Sequence, residues 1–290
     1  MSIINLTNVA NQALPRGVTF SDNTLKLLKK SIFDETITLK LSQRQLTNLN
    51  IIVEQSVEAK LILELIDTDS SDVTYDVFLE LKENTNVKFL LLSEVQSNNA
   101  VLNFKSSSLA DSNMEFVAGF INNVMDAKLF LDLNGKGASL RVRTITVSSK
   151  DHDQKLDIHM THYAPHTSAE MTNIGIAGEN GIIKINGVGQ IEQGMNGSAA
   201  FQTLKGIITN DKAQIDVNPI LIIDEHDVTA GHAATVGKME EEVLFYLRSR
   251  GLTLEDAQRL IINGYLQPII DEIDDALIKE NVIKIVNERI

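Results

Sequence analysis

From about Ile32 to Ile223 the chain alternates apolar and polar residues with a period near two, and this feature constrains its fold most. Thr36–Leu41, Val73–Leu81, Ala127–Leu133, Leu140–Val147 and Gln214–Val217 all alternate in this way. Alternation turns one set of side chains to a buried face and the other to solvent, as in half-buried strands. Clusters rich in Asp, Asn, Ser and Gly interrupt the runs at Asp67–Asp72, Lys82–Asn86, Ser97–Asn99, Asn134–Gly137, Ala177–Gly181 and Gln193–Gly197. Gly and Asn supply the positive φ of tight turns. A turn roughly every 8–14 residues predicts an all-β sandwich, barrel or solenoid.

Asn134-Gly135, Asn186-Gly187 and Asn196-Gly197 are hairpin signals and keep antiparallel architectures open. The β region is long for one sandwich. The chain has no Cys or Trp, aromatics make up 5%, and Ile, Leu and Val carry the interior. Stacked aliphatic ladders in a β-solenoid have this composition. No fixed-period repeat is readable, so periodicity alone leaves the three options standing.

After Gly237 the period becomes helical. Met239–Arg250 begins with acidic residues and ends with Arg, matching the helix dipole, and Gly251 is a C′ stop. Thr253-Leu-Glu-Asp256 reads as a capping box with Asp in the Glu position. It leads a helix with Ala257, Leu260, Ile261 and Gly264 on one stripe. Pro268 is placed in the first turn of a third helix carrying Ile269, Ile270, Ile273 and Leu277, and a short last helix runs to about Arg289. The apolar stripes exceed what short helices need among themselves, which predicts a docking face. Leu25–Lys30 reads as a helical turn or a loop. The chain is therefore divided into an N-terminal segment (1–30), a β core (31–236) and a helical region (237–290).

Twenty-six Lys and Arg stand against 39 Asp and Glu, a net charge of −13. Binding to nucleic acid backbones, which requires clustered cations, is not expected. The first residues lack a basic stretch followed by an apolar one, and no run of 18 apolar residues occurs, so a cytoplasmic location without membrane contact is expected. With no Cys there are no disulfides, thiolate metal sites or Cys nucleophiles.

His159, His162 and His166 invite a metal reading, but on a strand His159 and His162 face opposite ways. Asp224, Glu225, His226, Asp227 and His232 form a second group of oxygen and nitrogen donors suited to iron. In composition such a group is more often a solvated loop. Gly135-Lys-Gly137 and Gly187-Val-Gly189 lack the spacing of phosphate-binding loops, and there is no nucleophile elbow.

Asn218–Lys238, followed by an acidic turn and Phe245-Tyr-Leu-Arg-Ser-Arg-Gly251, resembles the hallmark of the SufB/SufD family of iron–sulfur cluster assembly proteins. His162–Thr167 and Gly187–Thr209 also resemble it. The likeness is specific from roughly Ile158 to Leu266 and upstream extends only to β-rich character. The chain is similar to the SufD branch, because SufB works through cysteine. It lacks the helical N-terminal region of longer members.

The resemblance implies a mainly β protein, a right-handed parallel β-helix (β-solenoid) with a small C-terminal helical domain. It implies a non-catalytic scaffold that pairs with a SufB-like subunit through its last rungs and docks the SufC ATPase through its C-terminal helices. The family histidine maps onto His232, the expected ligand to a nascent cluster at the subunit junction, with Asp224, Glu225 and Asp227 as auxiliary metal ligands. Ala230 stands where some relatives have Cys, so the isolated chain is expected to hold no cofactor stably and the complex to hold a cluster transiently. The alternatives are a self-associating homodimeric scaffold and, in another class, a β-helix enzyme acting on polysaccharide. The absence of a secretion signal and of Trp argues against the second.

Overall fold

The computed structural model describes residues 2–6, 12–29, 31–41, 46–271 and 276–289. The described residues form eighteen strands and three helices, α1 (Glu241–Ser249), α2 (Leu254–Ile270) and α3 (Ala276–Arg289). The strands lie in two nine-stranded sheets. From Ile37 onward the chain alternates between sheets, and each strand pairs in parallel with the equivalent strand one turn away. The first sheet runs from Ser2–Asn5 to Val228–Lys238, and the second from Val18–Ser21 to Gln214–Ile223. This is a β-solenoid.

Segment 1–30, unassigned by periodicity, contributes strands to both sheets. Ser2–Asn5 pairs with Ile37–Leu41. Leu25, read from sequence as part of a helical turn or loop, lies in a strand, Thr24–Leu27, antiparallel to Val18–Ser21. Asp22 (φ 48°) and Asn23 (φ 57°) form the two-residue turn, the combination that matches strand twist in a hairpin. Lys30 lies outside the described residues.

The turn length varies. Ser139 bonds Asn113 across 26 residues, whereas Asn218 bonds Asn186 across 32. The additions fall at the corners, so the ladders stay in register while the sequence repeat is blurred. Two of the Asn-Gly pairs sit at such corners. Asn186-Gly187 instead lies inside the strand Ile182–Ile191. Asn186 joins an outward ladder with Asp157 and Asn218, and Gly187 faces the interior, where a Cβ would lie 2.9 Å from Met171 Sδ.

Because stacked strands are in register, equivalent residues of successive turns form inward columns through the interior. Leu39, Leu63 and Leu91 form one such column, all fully buried. Phe89, Phe104 and Phe116 pack together, with centroids 5.0–5.9 Å apart.

Helix α1 ends as the sequence predicts. Gly251 (φ +97°) donates to the Arg248 carbonyl and Leu252 to that of Leu247, closing the turn in a Schellman pattern. At the start of α2 the Asp256 N–H donates to Thr253 Oγ1 (3.1 Å), while the Thr253 hydroxyl donates to Asp256 Oδ2 (2.7 Å). Aspartate is one methylene short of glutamate, so it meets the cap side chain instead of reaching back to its backbone.

The helical stripes differ from the sequence expectation. Residue 268 falls within α2 instead of opening a third helix, and near a helix end Pro removes only one ladder donor. Ile273 lies outside the described residues. Ala257, Ile262, Leu266 and Ile270 are buried on α2, whereas Leu260 is 53% exposed and Gly264 is exposed. What fixes this phase is the outer face of the first sheet. Ile145, Val147, Ile174, Ile176 and Ile207 form one buried cluster with Ile262, Leu266, Ile270 and Val286. Much of the apolar surface of α2 and α3 thus covers this chain's own β body. Phe104→Ala should leave a void in the aromatic stack and lower unfolding free energy by about 3–5 kcal/mol, read as a shift of the urea midpoint at unchanged slope.

Candidate functional site

The last turn of the solenoid, Gln214–Ile223 and Val228–Lys238, has neighbours on one side only. Positions buried in every turn below are half-buried or exposed here. His232 stands in register above Gln202, Met171 and Val142 on the first sheet. Those three are at most 2% exposed, so their column faces the interior, and the imidazole at its top is exposed. Ala230 and Ala234 flank it on the same side and leave it accessible.

Beneath His232 lies a brace not evident from the sequence. Gln202 is 2% exposed, and its Nε2 donates to the Ile220 carbonyl of the second sheet at 2.9 Å. Its Oε1 has no partner. A Cβ on Gly187 would lie 3.2 Å from that oxygen, and one on Gly189 2.6 Å from Nε2. The glycines, two residues apart in one strand, make room for an amide that crosses the lumen. Their period-two spacing is the only sequence signal of this arrangement.

Asp224–Asp227 form the corner between the last two strands. The Glu225 carboxylate accepts the His226 and Asp227 N–H groups at 2.7 and 3.3 Å, and that of Gly194 at 2.8 Å. These backbone donors hold its carboxyl below the usual range. Glu225 thereby staples two adjacent corners, while Asp224, His226 and Asp227 are exposed. Among the described residues no group of three or more His, Asp or Glu is arranged to hold a metal ion. His232 offers one nitrogen, and the chain has no thiolate to add.

His159, His162 and His166 are kept apart. His159 is on the outer face, stacked on Phe130 with centroids 5.0 Å apart. His166 occupies a corner with φ 56°. His162 is fully buried, with Nδ1 2.6 Å from Thr167 Oγ1. The Thr167 hydroxyl also lies within hydrogen-bond reach of the Ala164 carbonyl (3.0 Å) and the Ser198 hydroxyl (3.0 Å). Nε2 has no partner. Burial pushes the imidazole down to about 4 from its ordinary 6.5. Above pH 6.5 both folded and unfolded chains keep this ring neutral. As pH falls from 6.5 to about 4 only the unfolded chain takes the proton, so stability is lost across that window. The loss should total about 3 kcal/mol in chemical unfolding, and His162→Gln should remove that part of the slope.

On the helical side, Phe245 is 75% and Tyr246 55% exposed on α1, which buries no residue of its own. Glu241, Leu244, Phe245, Arg248 and Leu254 line a shallow groove there. A second cleft lies between the end of the His232 strand and α1 and α2, where Lys205 Nζ sits 3.6 Å from the Tyr265 ring centroid.

Residues 37–265 match the family model described as the SUF system FeS cluster assembly, SufBD core domain. The chain is 28% identical over 272 residues to the iron–sulfur cluster assembly protein SufD of Bacillus subtilis, covering 83% of this chain and 62% of that protein. It is 27% identical to SufD of Escherichia coli over 54% of this chain and 37% of that protein. With SufB of Bacillus subtilis it shares 28% identity over 56% of this chain and 35% of that protein. The chain thus spans less than two thirds of the length of these relatives. The match covers the solenoid from Ile37 through the His232 strand to Tyr265 on α2, and the chain belongs to the SufB/SufD core family of the SUF iron–sulfur cluster assembly system.

Proposed function

We propose that this chain is a SufD-like, non-catalytic scaffold subunit of a cytoplasmic iron–sulfur assembly complex. It pairs with a SufB-like subunit through the open end of the solenoid and docks a SufC-like ATPase on its C-terminal helices. The observation that carries this reading is an exposed His232 on a terminal strand paired on one side only, at the head of an otherwise buried column, in a chain of this family.

The cluster is cargo in this reading. His232 contributes one neutral imidazole nitrogen to iron at the junction, and thiolates come from the partner. Asp224 and Asp227 are exposed at the corner preceding the strand and are auxiliary oxygen donors, whereas the Glu225 carboxylate is already engaged by three backbone N–H groups. Gln202 positions His232 from below by tying the two sheets together one turn down. The ATPase supplies the conformational work, and the exposed Phe245 and Tyr246 anchor it.

Reconstitution with SufB-like and SufC-like subunits from the same genome tests the reading. His232→Ala should lower cluster yield several-fold while changing subunit association by less than about 0.5 kcal/mol. His232→Cys should restore part of the yield, since thiolate is a good cluster ligand. Yield falling only in proportion to association would make His232 an interface residue instead. Phe245→Ala should weaken ATPase binding by about 2 kcal/mol in calorimetry and leave SufB-like pairing unchanged.

A further inference from the structure

The outer face of the first sheet carries a cation that its neighbours do not neutralise. Lys205 stands in register above Ile174 and Ile145, two buried isoleucines that cluster with the helices. At this level the same outward column presents an ammonium at the margin of an apolar surface. Its Nζ lies 3.6 Å from the ring centroid of Tyr265 on α2, and the residue is half-buried. The half-buried Lys40, Lys82, Lys128 and Lys155 each meet a carboxylate at 2.7–3.8 Å, from Glu64, Glu80, Asp126 and Asp157. Lys205 has no such partner among the described residues. A tyrosine face attracts a cation but carries no net charge to match it. An ammonium partly withdrawn from water without a counter-charge is unfavourable, and an anion brought beside it is favoured in proportion.

The ammonium lines the cleft between the last strand and the helices, which has a volume of about 310 Å³. Ligand sites run from about 300 to 1,000 Å³, so this one has room for a small molecule only. Ile207, Met239 and Ile261 supply apolar walls, and the first two are buried. Two other charged residues border the cleft. Lys238 is already held by Asp211, and Glu240 is exposed at the N-cap of α1. One unmatched ammonium suits one negative charge, and the nearby Glu240 carboxylate disfavours a doubly charged guest such as a phosphate monoester.

We propose that this cleft binds a small organic monocarboxylate, whose carboxylate pairs with Lys205 and whose apolar body lies on Ile207, Met239 and Ile261. The site is separate from His232 and from the exposed Phe245, and it does not require the partners of the scaffold reading. Its walls come from the last two strands of the first sheet and from α1 and α2, so a bound acid ties the helices to the end of the β body.

Benzoate is the probe, with benzamide as its neutral counterpart and phenyl phosphate as the doubly charged one. Binding to the full chain at neutral pH is followed by methyl NMR of protein labelled at Ile and Met. Benzoate should saturate a single site with a Kd of about 1 mM. It should move the methyl signals of Ile207, Met239 and Ile261 and leave those of Ile220 and Ile222, on the second sheet, in place. Benzamide and phenyl phosphate should each bind at least about tenfold more weakly. Lys205→Met keeps an unbranched apolar stem without the charge and should weaken benzoate binding about tenfold. Lys184→Met, at an exposed lysine of the second sheet, should change it by less than about twofold. Benzoate that moves none of the three methyl signals overturns the proposal. So does benzamide or phenyl phosphate binding as tightly as benzoate, or undiminished benzoate binding by Lys205→Met. If melting curves show that Lys205→Met does not fold, the comparison of benzoate with benzamide on the unsubstituted chain decides.

Discussion

In-register parallel pairing is the constraint on which the rest depends. Once each residue sits above its equivalent in the turn below, every column must be acceptable to itself at each level. Leu on Leu satisfies this in the lumen, and Asp76–Asn103 and Asp157–Asn186–Asn218 satisfy it outside by side-chain hydrogen bonds along the stack. A polar residue that enters a lumen column needs a special answer. His162 finds one partner in Thr167, and Gln202 finds one in a carbonyl across the lumen.

His232 is accessible because this stacking stops. The same column position is core in Val142 and Met171 and a structural brace in Gln202. Only on the last turn does the column emerge into solvent. Site and fold are thus one arrangement. The terminal turn supplies an accessible imidazole and an open strand edge side by side.

Much of this was legible in sequence. Alternation predicted the strands, and the Asn218–Lys238 motif pointed to His232. The repeat of the solenoid was hidden because from Ile37 onward the turn varies from 24 (Ile37 to Leu61) to 32 residues (Ile182 to Gln214), with additions confined to corners where no ladder records them. Thr24–Leu27 was missed because four residues cannot establish a period. The stripe on α2 was misphased because helix propensity does not determine which face is buried. The facing isoleucines of the first sheet do, and they come from strands distant in sequence. Gln202 and the Gly187–Gly189 pair depend on a cross-lumen contact that no local pattern encodes.

The strip covered by the C-terminal helices has a wider effect. A solenoid is quasi-one-dimensional, since each turn touches its two neighbours and fraying proceeds one turn at a time. Here Ile62, Leu90, Val117, Ile145, Ile174 and Ile207, drawn from six successive strands of the first sheet, belong to one apolar cluster with α2 and α3. The helices brace this stripe where they meet it, chiefly at Ser139–Ser148. Opening a turn beneath them disturbs a surface shared with its neighbours, so that part of the array resists fraying one turn at a time.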